Sequence, residues 1–504
     1  MLANLRDYLD LLRREGELVE VTAPVDPHLE VAEIHRRVIA AGGPALLFRS
    51  PEGASMPLVT NLFGSARRVE LAFGRRPRRL IERLVGLADT MLPPTPGKLW
   101  GARDVGFELL KVGMKRRRSG PITAVVDRAP SLDDLPIITC WHGDGGAFVT
   151  LGLVYTEHPV DRRHNLAIYR MQRHDRRSLG MHWQIGKGGG FHYHAAEARG
   201  EPLPVTVLLG GPPALIAAAI APLPENVGEL LLASLLLGRR LPLAEIPGAP
   251  HPLVAEAEVA LIGKVPPSER LPEGPFGDHY GYYSLRHDYP VFHLETLARR
   301  PDAIYPATVV GKPRQEDFYL GDFLQELLSP LFPLVMPGVR SLWSYGETGY
   351  HSLAAAVVRD RYPREALASA FRILGEGQLS LTKFLLITDA PRDLKDFRGL
   401  LEHILARARW ERDLHIFGCT SMDTLDYTGP AVNEGSKGVL LGLGDAVREL
   451  PRAFEGAPPA GVERIHAYSA GCLVVEGPAW REEEGAAAGR APPPPPAPRP
   501  PQPP

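Results

Sequence analysis

Between about Ile122 and Lys312 the apolar residues fall in short runs, at 124–126, 151–155, 166–171, 205–209, 259–262 and 291–297, with glycine- and proline-containing turns among them. Runs of this length suit strands, and a succession of them predicts a barrel or a sandwich rather than a helical domain. One strong helix interrupts the pattern. Pro224 and Glu225 suit its start, 230–237 its buried body, and Gly238 followed by Arg239 and Arg240 its end. Glu229 then falls near the first turns, where the helix dipole favours a carboxylate.

The flanks read differently. Up to about Arg118 an amphipathic opening helix, strands at 45–48 and 58–62 and further helices make an α/β unit, and the basic run Lys115 to Arg118 before Gly120 reads as a solvated linker. Beyond about Tyr319, helices at 322–334, 363–374 and 393–408 alternate with strands at 384–388 and 414–417, a second α/β pattern. A chain of 504 residues exceeds what one core usually supports. The expected fold class is therefore mixed α/β, multidomain, with domains at 1–118, 119–318 and 319–477. Residues 478–504 form a proline-rich tail expected to be extended and disordered.

A formal charge of −2 gives no footing for nucleic-acid or membrane binding, which leaves small molecules and further copies of the chain as partners. Cys140, Cys419 and Cys472 are far apart, so neither a disulfide framework nor a zinc site is indicated and a reducing cytoplasm fits. The N-terminus has apolar residues at helical spacing with acids among them, unlike a signal peptide, and the greasiest stretches, 207–220 and 230–237, are too short or too broken to span a membrane.

The densest chemistry lies at Glu273-Gly-Pro-Phe-Gly-Asp278. Two glycines and a proline cannot sit inside a helix, so both carboxylates ride a tight loop able to turn them toward one point. Upstream, Asn165-Leu-Ala-Ile-Tyr-Arg170 adds an amide oxygen and a guanidinium, which a regular strand would place on opposite faces. Converging acids split their pKa values: one is expected to hold a proton near neutrality while Arg170 keeps the other ionised. Arg170, Glu273 and Asp278 could thus orient a carboxylate and deliver a proton to carbon; on spacing alone, a surface ion network explains them equally well. The glycine run 186–190 lets amides approach an anion but, read as sequence, lacks the strand-to-helix setting of a dinucleotide fingerprint.

These stretches, together with Gly180-Met-His-Trp183 and His279-Tyr-Gly-Tyr-Tyr283, resemble the UbiD family of prenylated-flavin-dependent decarboxylases. The likeness runs from about Leu5 to about Val475 and includes 41–48 and Glu434-Gly-Ser-Lys437. It implies an N-terminal α/β domain, a central split β-barrel that binds flavin, a C-terminal α/β domain closing over it, and a homo-oligomer. By the same resemblance Asp278 is the proton donor, with Arg170 and Glu273 completing its hydrogen-bonded network. Asn165 and Glu229 match ligands of a manganese or magnesium ion that bridges the protein to the flavin phosphate, with a potassium ion as a further companion. Ile168, Tyr169, Arg170, His182, Trp183, Gln184, Lys187 and Gly188 occupy flavin-contacting positions, although family members often have arginine in place of His182 and Lys187. Lys437 matches a lysine near the flavin phosphate, while 439–444 depart from the family pattern. Gly186 stands where some members have a metal-binding histidine, so either water or His182, His192 or His194 would supply that ligand; His192 and His194 would share a face on a strand.

The implied cofactor is prenylated FMN, supplied by a flavin prenyltransferase, and the implied reaction is reversible, non-oxidative decarboxylation of an aromatic or α,β-unsaturated acid. Removing carbon dioxide from such a carbon leaves charge that side chains stabilise poorly, which calls for an electron-accepting cofactor. The first expected substrate is 4-hydroxy-3-polyprenylbenzoate of ubiquinone biosynthesis. A carboxylated naphthoate of menaquinone synthesis, a catabolic phenolic or heteroaromatic acid, and a catalytically idle homologue that binds quinone precursors are the alternatives.

Overall fold

The run-and-turn stretch folds into a ten-stranded antiparallel sheet curled into a half-barrel. This computed structural model describes residues 2–90, 95–184, 186–223 and 228–479. The long strand His287–Arg299 is the hub of the sheet, pairing with Ser178–Met181, Val259–Val265, Arg270–Glu273 and Val125–Asp127. Strand alternation gives the sheet two buried faces. Val205, Val207, Leu209, Val259 and Leu261 enter one core, whereas Leu208, Ala260 and Ile262 enter another, beneath the helices Pro213–Ile220 and Glu229–Leu237. Each such leucine or isoleucine contributes about 1.5–3 kcal/mol of burial. The second helix ends at Gly238 in the left-handed region (φ 73°), as its sequence predicts; the start expected at Pro224 and Glu225 lies outside the described residues.

Three segments depart from the sequence reading. The basic linker is instead the edge strand Met114–Arg117, paired in parallel with Leu241–Ala244; its side chains are all exposed, since the backbone alone does the pairing. The run 166–171 is broken into His164–Ile168 and Met171–Arg173, so the face alternation that would separate Asn165 from Arg170 stops before Arg170. Gly188–Glu197 is a helix, so His192 and His194 share no face: His192 is buried and His194 exposed.

Before the barrel, the helix Leu5–Arg14 is capped by Asn4, whose side chain accepts from the Asp7 amide (2.9 Å), and buries Leu5, Tyr8, Leu9 and Leu12. It lies by a four-stranded sheet, Leu18–Val21, Ala45–Phe48, Leu58–Thr60 and Tyr305–Pro306, whose last strand comes from beyond the barrel. After the barrel, five strands run in the order Val339–Ser344, Leu353–Val358, Phe384–Thr388, Glu434–Gly442 and Leu414–Ser421, the inner three parallel. Leu385 and Ile387 meet Ala366, Ala370 and Ile373 of one helix, while Leu386 meets Leu400 and Ile404 of another, so both faces are covered. The proline-rich part of the tail, from residue 480, lies outside the described residues. Among the described residues, no helix is long and apolar enough to cross a membrane.

Candidate active site

Glu273 closes the strand Arg270–Glu273, and the chain then turns through Gly274 (φ +96°), a conformation open to glycine. The loop amides are all held: Gly274 N–H donates to Gln172 Oε1 (2.7 Å), Phe276 N–H to Ser284 Oγ (3.1 Å), Gly277 N–H to Asp144 Oδ1 (2.8 Å) and Asp278 N–H to the Tyr282 carbonyl (3.1 Å). A Cβ on Gly277 would stand 2.2 Å from the Trp141 ring, so the loop can pack there only as glycine. A loop pinned at each free amide fixes the direction of both carboxylates.

Arg170 joins them. Its Nε donates to Glu273 Oε1 (2.8 Å), its Nη2 to Glu273 Oε2 (3.2 Å) and Ser284 Oγ (3.0 Å), and its Nη1 to Asp278 Oδ2, while the guanidinium lies 4.8 Å from the centre of the Phe276 ring. The side chains of Arg170, Glu273 and Asp278 are 9%, 0% and 10% exposed, which rules out the surface-network reading. The expected split of the two acids is not present. Burial raises both, but the His182 hydrogen bond and Arg170 outweigh it at Glu273 and hold that carboxyl at about 2, and Arg170 and His279 hold Asp278 well below the usual carboxylate range. With one guanidinium between them, each carboxylate gains more from the cation than it loses to its twin. Asp278 in this state is a base that must collect a proton before it can act as an acid.

The remaining expected residues form a second group alongside. His182 meets Glu273 Oε2 through Nδ1 (3.2 Å), and burial and Arg170 push its pKa down, so it serves this network as a neutral ring. Glu229 opens its helix, takes the Leu166 amide on Oε2 (3.1 Å) and is raised by burial; this puts its carboxylate beside the strand that carries Asn165. Among the described residues, Asn165 Nδ2 and Trp183 Nε1 are buried without hydrogen-bond partners, and the buried Tyr169 hydroxyl lies beside Asn165 and Gly189 without a well-formed bond to either. Lys187 is the N-cap of the helix Gly188–Glu197; its ammonium lies 5.8 Å over the Tyr169 ring, and burial lowers its pKa against the pull of Asp423. The glycine run therefore opens a helix, though not in the βαβ setting of a dinucleotide fingerprint, and presents a helix N-terminus of the kind that binds anions. A Cβ on Gly188 would stand 2.5 Å from Asn165 Oδ1, and one on Gly189 would stand 2.7 Å from Trp183. Ile168 ends its strand half-buried, and Gln184 Nε2 donates to Asp423 Oδ2 (3.3 Å) across to the C-terminal domain.

Two groups of expected residues are not gathered here. Lys437 lies on the strand Glu434–Gly442 with its ammonium turned to the Thr382 carbonyl (3.0 Å) and Met422 Sδ (3.8 Å), lowered by burial to about 8. Among the candidates for a third metal ligand, His182 is engaged with Glu273, His192 Nδ1 with Thr156 Oγ1 (2.9 Å), and His194 is exposed. No group of three His, Cys, Asp or Glu side chains forms a cation site among the described residues. The donors that fit a metal are hard oxygens, Asn165 Oδ1 and the Glu229 carboxylate, next to a glycine-opened helix suited to a phosphate; that set suits manganese or magnesium with a phosphorylated cofactor.

Sequence reasoning missed the residues that hold these groups in place: Gln172, Asp144 and Ser284 on the loop, His279 on Asp278, and the pair His351–Asp423 (2.6 Å) behind Gln184. His279 and Ser284 were within reach as neighbours of the acidic loop, and Gln172 as a near neighbour of Arg170.

Three family models match the chain: the N-terminal domain of 3-octaprenyl-4-hydroxybenzoate carboxy-lyase over residues 9–88, its Rift-related domain over 114–313, and its C-terminal domain over 318–442. The chain is 53% identical over 472 residues to a 4-hydroxybenzoate decarboxylase subunit from Chlamydia pneumoniae, covering 94% of this chain and 80% of that protein. It is 35% identical to an uncharacterized protein of Archaeoglobus fulgidus, covering 91% and 95%. Among solved structures, the closed form of the vanillic acid decarboxylase of Sedimentibacter hydroxybenzoicus superposes with a TM-score of 0.77 at 23% identity, covering 92% of this chain and 97% of that one. The UbiD-class enzyme HmfF of Pelotomaculum thermopropionicum, in complex with FMN, gives 0.69 at 23% identity, covering 91% and 98%.

Proposed function

The chain belongs to the UbiD family of carboxy-lyases, and from that membership we propose that it decarboxylates an aromatic acid built on 4-hydroxybenzoate, using prenylated FMN. The observation that carries this reading is the buried Arg170 bridging Glu273 and Asp278 on a fully pinned loop, beside a phosphate-ready helix N-terminus. Bound there, the cofactor would supply the electron sink that lets carbon dioxide leave an sp² carbon. Arg170 orients the departing carboxylate, Glu273 fixes Arg170, and Asp278 delivers the proton to the carbon. Asn165 and Glu229 would hold a manganese or magnesium ion, with potassium as a companion. Tyr169, Arg170, His182, Trp183, Gln184, Lys187 and Gly188 would line the flavin site with Ile168, and Lys437 is assigned to the flavin phosphate by its match to the family lysine.

The 4-hydroxybenzoate core is common to the family name and to the 53% relative, which supports 4-hydroxy-3-polyprenylbenzoate as the substrate and bare 4-hydroxybenzoate as its nearest competitor. The vanillic acid and 3,4-dihydroxybenzoic acid decarboxylases among the structural neighbours also take phenolic acids, which keeps a catabolic phenolic acid in the test. The family models, at 9–88, 114–313 and 318–442, support domains at 1–118, 119–318 and 319–477. We assign the protein to the cytoplasm, as a homo-oligomer that receives its cofactor from a flavin prenyltransferase. The test is co-expression with that prenyltransferase, identification of the bound cofactor and metal by absorbance and mass, and a carbon dioxide release screen over prenylated and bare 4-hydroxybenzoate, vanillate and a carboxylated naphthoate. Plain flavin or none, or no release from any acid, overturns the proposal.

A further inference from the structure

Asp278 splits its two oxygens between two cations. Oδ2 faces Arg170, while Oδ1 takes both the His279 amide (2.8 Å) and the His279 ring nitrogen Nδ1 (2.6 Å). The other ring nitrogen, Nε2, points at the carbonyl oxygen of Gly349 (3.3 Å), across in the C-terminal domain. An ionised carboxylate and a peptide carbonyl can only accept, so a ring that faces one with each nitrogen satisfies both only when both nitrogens carry hydrogen. That species is the imidazolium. A third group explains how a cation survives there: Asp317, in the first turn of the helix Glu316–Leu328, has a buried Oδ1 with no hydrogen-bond partner among the described residues, and its charge reaches His279.

We propose that His279 is the proton source for Asp278, and that Asp317 is the counter-charge that keeps His279 loaded. The inference rests on the decarboxylase reading above and adds to it the origin of the proton. Each turnover loses carbon dioxide from the substrate and places one proton on the carbon left behind. The Nδ1–H bond of His279 breaks as an O–H bond forms on Asp278; that O–H bond breaks in turn as the new C–H bond forms, and the neutral imidazole, keeping its Nε2 hydrogen on Gly349, recovers a proton from water. This supplies the step that the ionised resting state of Asp278 demands. The charged and titratable groups facing the ring are Asp278 and the Tyr280 phenol, whose ring centre lies 4.8 Å away, on its own loop, Asp317 on the helix, and Asp423, itself paired with His351, from the C-terminal domain. Burial works against the imidazolium, these carboxylates outweigh it, and the His279 pKa is raised. Asp317 is pushed up by burial to about 6 and so still carries its charge at neutral pH.

The test uses the holoprotein with ¹⁵N-labelled histidine, and the His279 signals are assigned by their loss in His279→Asn. At pH 7 the parent should show His279 with both nitrogens protonated, and Asp317→Asn should lower the pH at which the ring deprotonates. In turnover, His279→Asn keeps a donor toward Asp278 but no transferable proton; it should retain the flavin absorbance and lose about 10²-fold in kcat. The alkaline limb of kcat should move down in Asp317→Asn by the same interval as the ring titration. A neutral His279 ring at pH 7 overturns the proposal, as does an Asp317→Asn enzyme whose ring titration and alkaline limb both stay in place. Should His279→Asn shed its flavin, Asp317→Asn decides alone. An enzyme inert toward every acid refutes the decarboxylase reading, while the ring titration, which needs no substrate, still decides the protonation of His279.

Discussion

At the scale of single residues, the site works by balancing one guanidinium against two carboxylates. Asp278→Asn preserves shape and removes the exchangeable proton, so flavin should stay bound while turnover falls by roughly 10²–10⁴-fold, with hydrogen–deuterium exchange into the product falling in step. An asparagine variant that decarboxylates and exchanges near the parent rate would move the donor role to Glu273 or to water. The same balance sets an acid limit. Glu273 is depressed to about 2, so its contribution to stability is present above its unfolded pKa of about 4.3 and is lost as pH falls from there toward 2. Melting temperature against pH should therefore drop over that window in the parent and drop less in Glu273→Gln. The sequence puts Glu273 and Asp278 on one loop, because the Gly-Pro-Phe-Gly between them forbids a helix, and only the family resemblance joins Arg170 to them. It misjudges their protonation, since the rule that like charges split assumes no cation between them, and the reach of Arg170 across 103 positions to Glu273 exists only in the fold.

Elements place the second half of the site. The helix Gly188–Glu197 starts on glycines because Asn165 and Trp183 already fill the space a Cβ would need. Gly188→Ala should push Asn165 aside and reduce flavin and metal content together, measured by absorbance and by elemental analysis, while the melting temperature of the apoprotein changes little; undiminished cofactor content would show that Asn165 is no ligand. Glu229→Gln should act the same way, lowering occupancy without moving the pH profile of the remaining active fraction. The short strands were legible from their turns, and Phe384–Thr388 from its continuous apolar run flanked by helical segments. The glycine-opened helix was not. Glycine has poor helix propensity, so the sequence argues for a loop, and only packing against Asn165, Tyr169 and Trp183 reverses that preference.

For the whole molecule, the segment just after Asp278 belongs to the barrel but is fastened to the C-terminal domain. Tyr282 Oη donates to the Leu425 carbonyl (2.5 Å), Leu285 N–H to Tyr427 Oη (2.9 Å) and Ser352 Oγ to Tyr280 Oη (3.3 Å). Gly349 lies against Tyr280 so closely that a Cβ would fall 2.8 Å from the ring, and its φ is +70°. Gly349→Ala should therefore prise the two domains apart, lowering kcat and enlarging the radius of gyration in small-angle scattering while the flavin stays bound; an unchanged scattering curve would show that the contact does not hold the domains together. Truncation after Gly477 should leave turnover and melting temperature at parental values, since the charged and proline-rich composition of the tail offers nothing to a packed core. A different consequence follows from the strand Tyr305–Pro306, which completes the sheet begun by Leu18–Val21. A ribosome makes the chain from its N-terminus, so that sheet stays one strand short until the entire barrel has been synthesised. The first part of the protein to be born is thus finished only after the barrel, and a nascent chain stalled inside the barrel would leave the edge Leu58–Thr60 unpaired, open to a holding chaperone or to a neighbouring chain on the same message.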